Sequence, residues 1–350
     1  YGLVAGVMAV GSRAANFDRA LRSRRCERVA NDRAAVRDLS CERRAVFVKV
    51  ETIDHGFSGL AHVIASYLVP TEVGPVLIEA GPASSYANLV AAIRALGYAP
   101  EDVRHLFVTH IHLDHAGGAW RFAESGATIY VHPRGAPHLA DPTKLLASAA
   151  RIYGEQMENL WGEVRPIAAE RIKVLDDGQD VHLGRTRVRA ISTPGHASHH
   201  HVYVIDGLLF AGDIAGIRIG RGPVLPPTPP PDIDLEAWRA SLQRVRELAP
   251  DALYLTHFGR ADDVRDHLDR LESKLDAWAS WTLGALRAGK DDEKLVADFV
   301  RYWQEELRAC GLDEERIREY ELADPPWMNL QGLVRYWRKH HPEAFNLSST

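Results

Sequence analysis

A chain of 350 residues with 46% hydrophobic side chains can bury a sizeable core, and its length suits one large domain with an appendage. Its formal net charge of −5 disfavours a nonspecific nucleic-acid surface, and no stretch approaches the roughly 20 apolar residues that span a bilayer. Cys26, Cys41 and Cys310 are too few and too scattered for a disulfide framework, so a reducing, cytoplasmic setting is expected.

The first 45 residues differ from the rest. A short apolar patch, Leu3 to Val10, precedes the Arg-rich run Arg19-Ala-Leu-Arg-Ser-Arg-Arg25, whereas a secretory signal carries its positive charge ahead of the apolar stretch. Residues 1–45 are read as a loosely ordered extension whose arginines form a solvated tail, with binding of nucleic acid or an acidic partner as the alternative.

Ordered structure is expected from Val46. Val46-Phe-Val-Lys-Val-Glu-Thr-Ile53 alternates as a strand does, and further apolar runs occupy Ala61 to Pro70 and Val73 to Glu79. Between Tyr86 and Leu96, residues Leu89, Ala92, Ile93 and Leu96 fall at helical spacing, and Gly97 stops the pattern. Val103 to Thr109 then reads as a short buried strand leading into Thr109-His-Ile-His-Leu-Asp-His-Ala-Gly-Gly118.

That run places His110, His112, Asp114 and His115 within six residues. Neutral imidazole and carboxylate are the groups that borderline divalent ions such as zinc bind, and four of them on one short loop point to a shared cation. Strand alternation lets His110 and His112 point together, while Asp114 and His115 need the chain to turn, for which Gly117 and Gly118 supply freedom. The bland alternative, two histidines on an exposed strand face, accounts for neither the carboxylate nor the glycine pair.

Ala127 to Val131 reads as a strand ending at His132, and Asp141 to Trp161 as helical with a glycine interruption. Three more apolar runs each end at a turn on one ligand-type residue: Val188 to Ile191 before His196, Leu208 to Gly212 before Asp213, and Ala252 to Thr256 before His257. His199, His200 and His201 are read as packing and hydrogen-bonding residues, not as further ligands. From Gly220 to Asp232 the chain holds six prolines, which makes a stiff irregular loop. That loop is either a plain connection to a helix at Leu235 to Leu248 or one wall of a substrate mouth, where Arg218 and Arg221 are candidates to meet an anionic group. Beyond about residue 261, helices are expected at Val264 to Leu286, Leu295 to Leu307 and Leu330 to Trp337. Trp278, Trp281, Trp303, Trp327 and Trp337 are expected to face the core.

With His110, His112, Asp114, His115, His196, Asp213 and His257 in this order, the chain resembles the metallo-β-lactamase superfamily, whose pattern is His-x-His-x-Asp-His, a lone His, an Asp and a final His. The likeness runs over roughly residues 46–260 and implies an α/β fold, an αββα sandwich, followed over 261–350 by a C-terminal helical extension similar to that of the glyoxalase II branch. Position by position it implies that His110, His112 and His196 hold one divalent metal ion, that Asp114, His115 and His257 hold a second, and that Asp213 bridges them. Zinc leads, with iron or manganese as alternatives. The resemblance further implies a hydrolase in which a water shared by ions ~3.5–4 Å apart loses its proton near neutral pH and attacks a small ester, thioester or lactone. Asp114 is its catalytic residue, orienting that water and passing a proton to the leaving group. An iron-dependent oxidoreductase, similar to the sulfur dioxygenases, is the alternative activity, and the aspartate at the bridging position argues against a true β-lactamase.

Glu79-Ala-Gly81 stands where the superfamily usually carries Asp-x-Gly. The longer carboxylate either accepts hydrogen bonds from the ligand loop or sits at a helix N-terminus. His132, His138 and Tyr153 belong to a region that in this family commonly lies over the site; each is a candidate pocket residue, with a packing role as the alternative.

Overall fold

The computed structural model describes residues 48–344, so the Arg-rich segment 1–45, with Cys26 and Cys41, lies outside the described residues. The first sheet contains β1 (Glu51–Asp54), β2 (Ala65–Thr71), β3 (Gly74–Ile78), β4 (His105–Phe107), β5 (Thr128–Val131) and β6 (Ile172–Val174), neighbours in that order. The second contains β7 (Asp180–Leu183), β8 (Thr186–Ser192), β9 (His201–Ile205), β10 (Leu208–Gly212), β11 (Ala252–Leu255) and β12 (Gly259–Ala261), again in chain order. Pairing is parallel from β3 through β6 and between β10 and β11, where intervening helices return the chain, and antiparallel elsewhere.

Helices α1 (Tyr86–Ala95), α2 (Leu113–Ala116), α3 (Ala119–Glu124), α4 (Ala136–Ala140), α5 (Thr143–Tyr153) and α6 (Met157–Trp161) fall within the first half of the fold. α7 (Leu235–Leu248) links β10 to β11, and α8 (Val264–Arg287), α9 (Asp292–Ala309), α10 (Glu314–Ala323) and α11 (Pro326–His340) follow the last strand.

Strand alternation sorts the apolar residues into three layers. Tyr67, Ile78 and Phe107 of the first sheet meet Tyr203, Phe210 and Tyr254 of the second between the sheets. Their chain neighbours Leu68, Leu77 and Leu106 face outward onto Leu89 and Ile93 of α1 and Phe122 of α3. On the far side, Leu209, Leu253 and Leu255 pack against Trp238 and Leu242 of α7 and Leu271, Leu275 and Trp278 of α8. Central strands are therefore buried on both faces, which is why their sequences read as unbroken apolar runs. The result is the expected αββα sandwich with added C-terminal helices.

The helical tail shares the core of the second sheet: Trp278, Phe299 and Trp303 are fully buried in the same cluster as Leu253 and Leu255. Trp281, Trp327 and Trp337 are only partly buried. Among the described residues no helix is long and apolar enough to cross a membrane.

Several elements depart from the sequence reading. The first strand begins at Glu51, leaving Val48 to Val50 outside it, and β4 is three residues long where seven were expected. β6, β7, β9 and β12 were not anticipated, and α10, within the stretch expected to be helical but without bounds of its own, buries only Ile317, Glu319 and Tyr320 in a sequence of mostly charged residues.

Candidate metal centre

Four strands aim their C-terminal ends at one place. His110 follows β4, His196 follows β8, Asp213 directly follows β10, and His257 lies two residues beyond β11. His110 and His112 occupy a loop, not a strand, so period-two alternation is not what brings them together. Asp114 and His115 sit on the single turn of α2. Gly117 and Gly118 adopt ordinary right-handed conformations, so they serve here by their size. A Cβ on Gly118 would stand 2.9 Å from the Ala80 carbonyl oxygen, which shows how closely this loop packs on the Glu79-Ala-Gly81 turn.

His110, His112, His196 and Asp213 bring one ligand atom each into a cluster no wider than 4.8 Å, and Asp114, His115 and His257 form a second. In the first, His112 Nδ1 lies 2.9 Å from His110 Nε2 and 3.1 Å from His196 Nε2. Asp213 faces both: its Oδ2 is 3.3 Å from His196 Nε2, and its Oδ1 is 3.3 Å from His115 Nε2 and 3.6 Å from His257 Nε2. Asp114 Oδ2 lies 3.4 Å from His257 Nε2 and 3.6 Å from His115 Nε2.

These groups fit divalent cations. Nitrogens bound tetrahedrally at ~2.0–2.1 Å from one ion stand about 3.3 Å apart, close to the spacing seen here. His115 Nε2 and Asp213 Oδ1 are buried without a hydrogen-bond partner among the described residues, an arrangement that costs about 1–3 kcal/mol per group unless a cation fills it.

The far side of each ring is held. His196 Nδ1 donates to the Pro227 carbonyl at 2.8 Å and His257 Nδ1 to that of Val63 at 2.7 Å. His115 Nδ1 donates to Glu79 Oε1 at 3.0 Å, and His110 Nδ1 to Thr109 Oγ1 at 3.0 Å. Such contacts keep the proton on Nδ1 and turn the Nε2 lone pair inward. His112 is the exception, presenting Nδ1 to the cluster.

Glu79 organises this shell. Fully buried and held at φ 65°, it accepts from Thr109 N at 3.2 Å, from Thr109 Oγ1, from His115, and from Thr256 Oγ1 at 3.4 Å. The hydrogen-bonding reading therefore holds, and the helix N-terminus reading does not.

Electrostatics divide the site. Burial pushes His110 well below the usual imidazole range, His112 down to about 4, and His196 below its ordinary value, so all three are neutral and ready to ligate. Burial acts the same way on His115 and His257, but the carboxylates of Asp213 and Asp114 outweigh it and raise both. For Asp213 and Asp114 burial opposes ionisation, yet the neighbouring histidines prevail, holding Asp213 well below the carboxylate range and Asp114 at about 2. The second cluster thus carries concentrated negative charge that protons or a metal must balance.

A cleft of about 360 Å³ opens over His112, Asp114 and Asp213. Its walls come from the face of α5 that includes Leu145, Ala149 and Tyr153, from Trp161, and from Pro227 and Pro229 to Pro231. His138 and Tyr153 line it, and the proline loop forms one wall.

His132 does not line it: its Nδ1 accepts from Arg134 N at 3.0 Å and its ring packs on His201, with centroids 4.5 Å apart. Arg218 is also turned away, paired with Asp263 at 2.7 Å, and Arg221 is exposed outside the cleft. Of the histidine triplet, His200 Nε2 accepts from Asp213 N at 3.2 Å, His199 borders the cleft, and none joins either cluster.

Arg134, Lys144 and Asp324 border the cleft without having been singled out in the sequence. Asp324, at the end of α10, is buried and accepts from Asn329 Nδ2, and burial drives its carboxyl well above the usual range. No local motif marks it. Lys144 was legible only as one position of an expected helix.

Comparison with known proteins agrees with this geometry. The family model of the metallo-beta-lactamase superfamily matches residues 60–257, more than half of the chain and all of the ligand-type residues. The chain belongs to that superfamily. A crystal structure of an archaeal metallo-beta-lactamase superfamily protein from Sulfolobus tokodaii superposes with a TM-score of 0.55 at 28% identity, over 63% of this chain and 85% of that one. A hydroxyacylglutathione hydrolase of Aeromonas hydrophila is 29% identical over 153 residues, 43% of this chain and 46% of its own length. An N-acyl homoserine lactonase of Bacillus cereus is 23% identical over 163 residues, 40% of this chain and 57% of its own length. The superfamily match thus covers every strand but the edge strands β1 and β12 and ends at residue 257, ahead of the helical tail, which adds Asp324 and Met328 to the cleft wall.

Proposed function

We propose that the protein is a metal-dependent hydrolase of a small ester, thioester or lactone, with His110, His112 and His196 on one divalent ion, Asp114, His115 and His257 on a second, and Asp213 between them. The observation that carries this reading is the placing of the two Asp213 oxygens, one toward each cluster, on the floor of the cleft. Two cations held there supply Lewis acidity toward a carbonyl oxygen and bring the pKa of a water near neutrality. Similarity to a hydroxyacylglutathione hydrolase and to an N-acyl homoserine lactonase supports hydrolytic chemistry on a carbonyl carbon.

The chain's own residues then have distinct work. Asp114 is ionised, with its carboxyl held at about 2, and borders the cleft, so it is positioned to accept a proton from the attacking water and return it to the leaving group. Glu79 keeps His115 turned inward through its 3.0 Å contact. Trp161 and Tyr153 close one end of the cleft against water, and the Tyr153 hydroxyl is occupied by Met328 Sδ at 3.4 Å.

Hydrolysis of a panel of thioesters, lactones and aryl esters by metal-loaded protein tests the proposal, with metal content measured on the same sample. Turnover of at least one class, with about two zinc or manganese ions per chain, is the expected result. Flat background rates across the panel, or iron with oxygen consumption, overturn it.

A further inference from the structure

The α5 wall of the cleft is charged at its first turn and apolar at its last. That wall presents Lys144, Ser148 and Ile152 at four-residue spacing, one helix face, and at 1.5 Å per residue Lys144 and Tyr153 stand about 13 Å apart along the axis. Lys144 stands at the first end, Arg134 also borders the cleft, and among the described residues neither is in an ion pair with a carboxylate. Both are exposed, so this end is open. At the other end Tyr153 packs on Trp161, ring centroids 5.1 Å apart, and reaches Met328 Sδ, and the burial of Trp161 and Met328 makes this the more enclosed end.

The remaining carboxylates of the wall do not cancel the cations. Asp232 accepts from Ser198 Oγ at 2.9 Å, and Asp324 is buried against Asn329. Asp114 and Asp213 belong to the metal clusters.

Resting on the hydrolase reading above, we infer that the substrate is an amphipathic ester or thioester, its apolar acyl chain against Ile152, Tyr153, Trp161 and Met328 and an anionic group of its leaving-group half on Arg134 and Lys144. The more enclosed apolar end suits an acyl chain of limited length, and the open charged end lets a larger leaving group reach solvent. Hydrolysis breaks the bond from the acyl carbon to sulfur or oxygen. Water contributes hydroxyl to the acyl carbon and a proton to the departing thiol or alcohol, so no further reactant is needed. Anion recognition thus falls to Arg134 and Lys144, not to Arg218 and Arg221.

Two octanoyl thioesters separate the possibilities, one of anionic 3-mercaptopropionate and one of neutral 2-mercaptoethanol. Metal-loaded wild type is expected to prefer the anionic thioester by about tenfold or more in kcat/KM, and the Arg134→Gln/Lys144→Gln double variant to bring that ratio to about one, chiefly through KM. Raising the salt to about 0.5 M is expected to shrink the wild-type ratio, as it does for exposed charges. Equal rates on both thioesters in wild type, or a ratio kept in the double variant, overturn the inference. A readout independent of turnover is calorimetric binding of the thioether analogue of the anionic thioester. If neither thioester is cleaved, the hydrolase reading fails, and the binding measurement still decides on charge recognition. A loss of about tenfold in affinity in the double variant supports it, and equal affinity overturns it.

Discussion

Asp213 is the residue at which the two clusters meet, with Oδ2 toward His196 and Oδ1 toward His115 and His257. On the proposed two-ion reading, removing it withdraws one ligand from each side, and it leaves His115 and His257 without their main counter-charge. Asp213→Ala is therefore expected to hold no more than one metal ion per chain after loading, measured by elemental analysis; retention of two would remove Asp213 from its bridging role. Asp324 offers a contrasting case, a carboxyl whose folded-state pKa is raised by burial. Its unfolded value is about 3.9. A raised folded value means that the stability it contributes is present below that pH and is lost as pH rises through the folded value. Asp324→Asn cannot ionise, so in metal-free protein its stability relative to wild type is expected to grow steadily above about pH 4. Denaturant midpoints of both proteins between pH 4 and pH 8 check this, and a constant difference across the series would contradict it.

At the scale of elements, the turn carrying His196 depends on α7. Asp234 caps that helix by accepting from Ala237 N at 2.9 Å, while its own N–H donates to the Gly195 carbonyl at 2.9 Å. Gly195 has φ 141°, and a Cβ there would lie 2.3 Å from Trp238 Cα. The substitution Gly195→Ala is thus expected to cost more than about 1 kcal/mol and to lower metal content by displacing His196. Thermal unfolding and metal analysis on one sample show whether the two effects travel together. Legibility also varied at this scale. α7 was anticipated with its observed ends, and α1 and α5 were anticipated in place, because their apolar stripes are strong. β6 and β12 are three residues long and β9 begins inside the histidine triplet, so none of them displays a period.

For the whole molecule, the C-terminal helices are built into the sandwich. Phe299 and Trp303 of α9 share a core with Leu253 and Leu255 of β11, and Asn329 of α11 accepts from Thr228 N at 2.6 Å, tying the tail to the proline loop. Trp303→Ala is expected to destabilise the protein by about 3–5 kcal/mol, since it opens a large cavity in that shared core. Metal content in the surviving folded fraction is expected to stay at the wild-type level, because Trp303 touches no ligand. Unfolding by denaturant followed by both tryptophan fluorescence and far-ultraviolet dichroism measures the loss. A sandwich that keeps full stability after this change would mean that the tail is an independent attachment.

The chain alone determined the metal-ligand candidates and the layered architecture, for a physical reason. Each of the lone residues His196, Asp213 and His257 ends an apolar run at a turn, and strands buried on both faces announce themselves by continuous hydrophobicity. The tertiary structure decided what faces the cleft. Arg218, near Asp213 in the chain, turns to Asp263, whereas Lys144 and Arg134 from another segment border the opening, and Asp324 arrives from the far end of the helical tail. Side-chain direction on irregular segments is set by partners distant in the chain, so no local pattern records it.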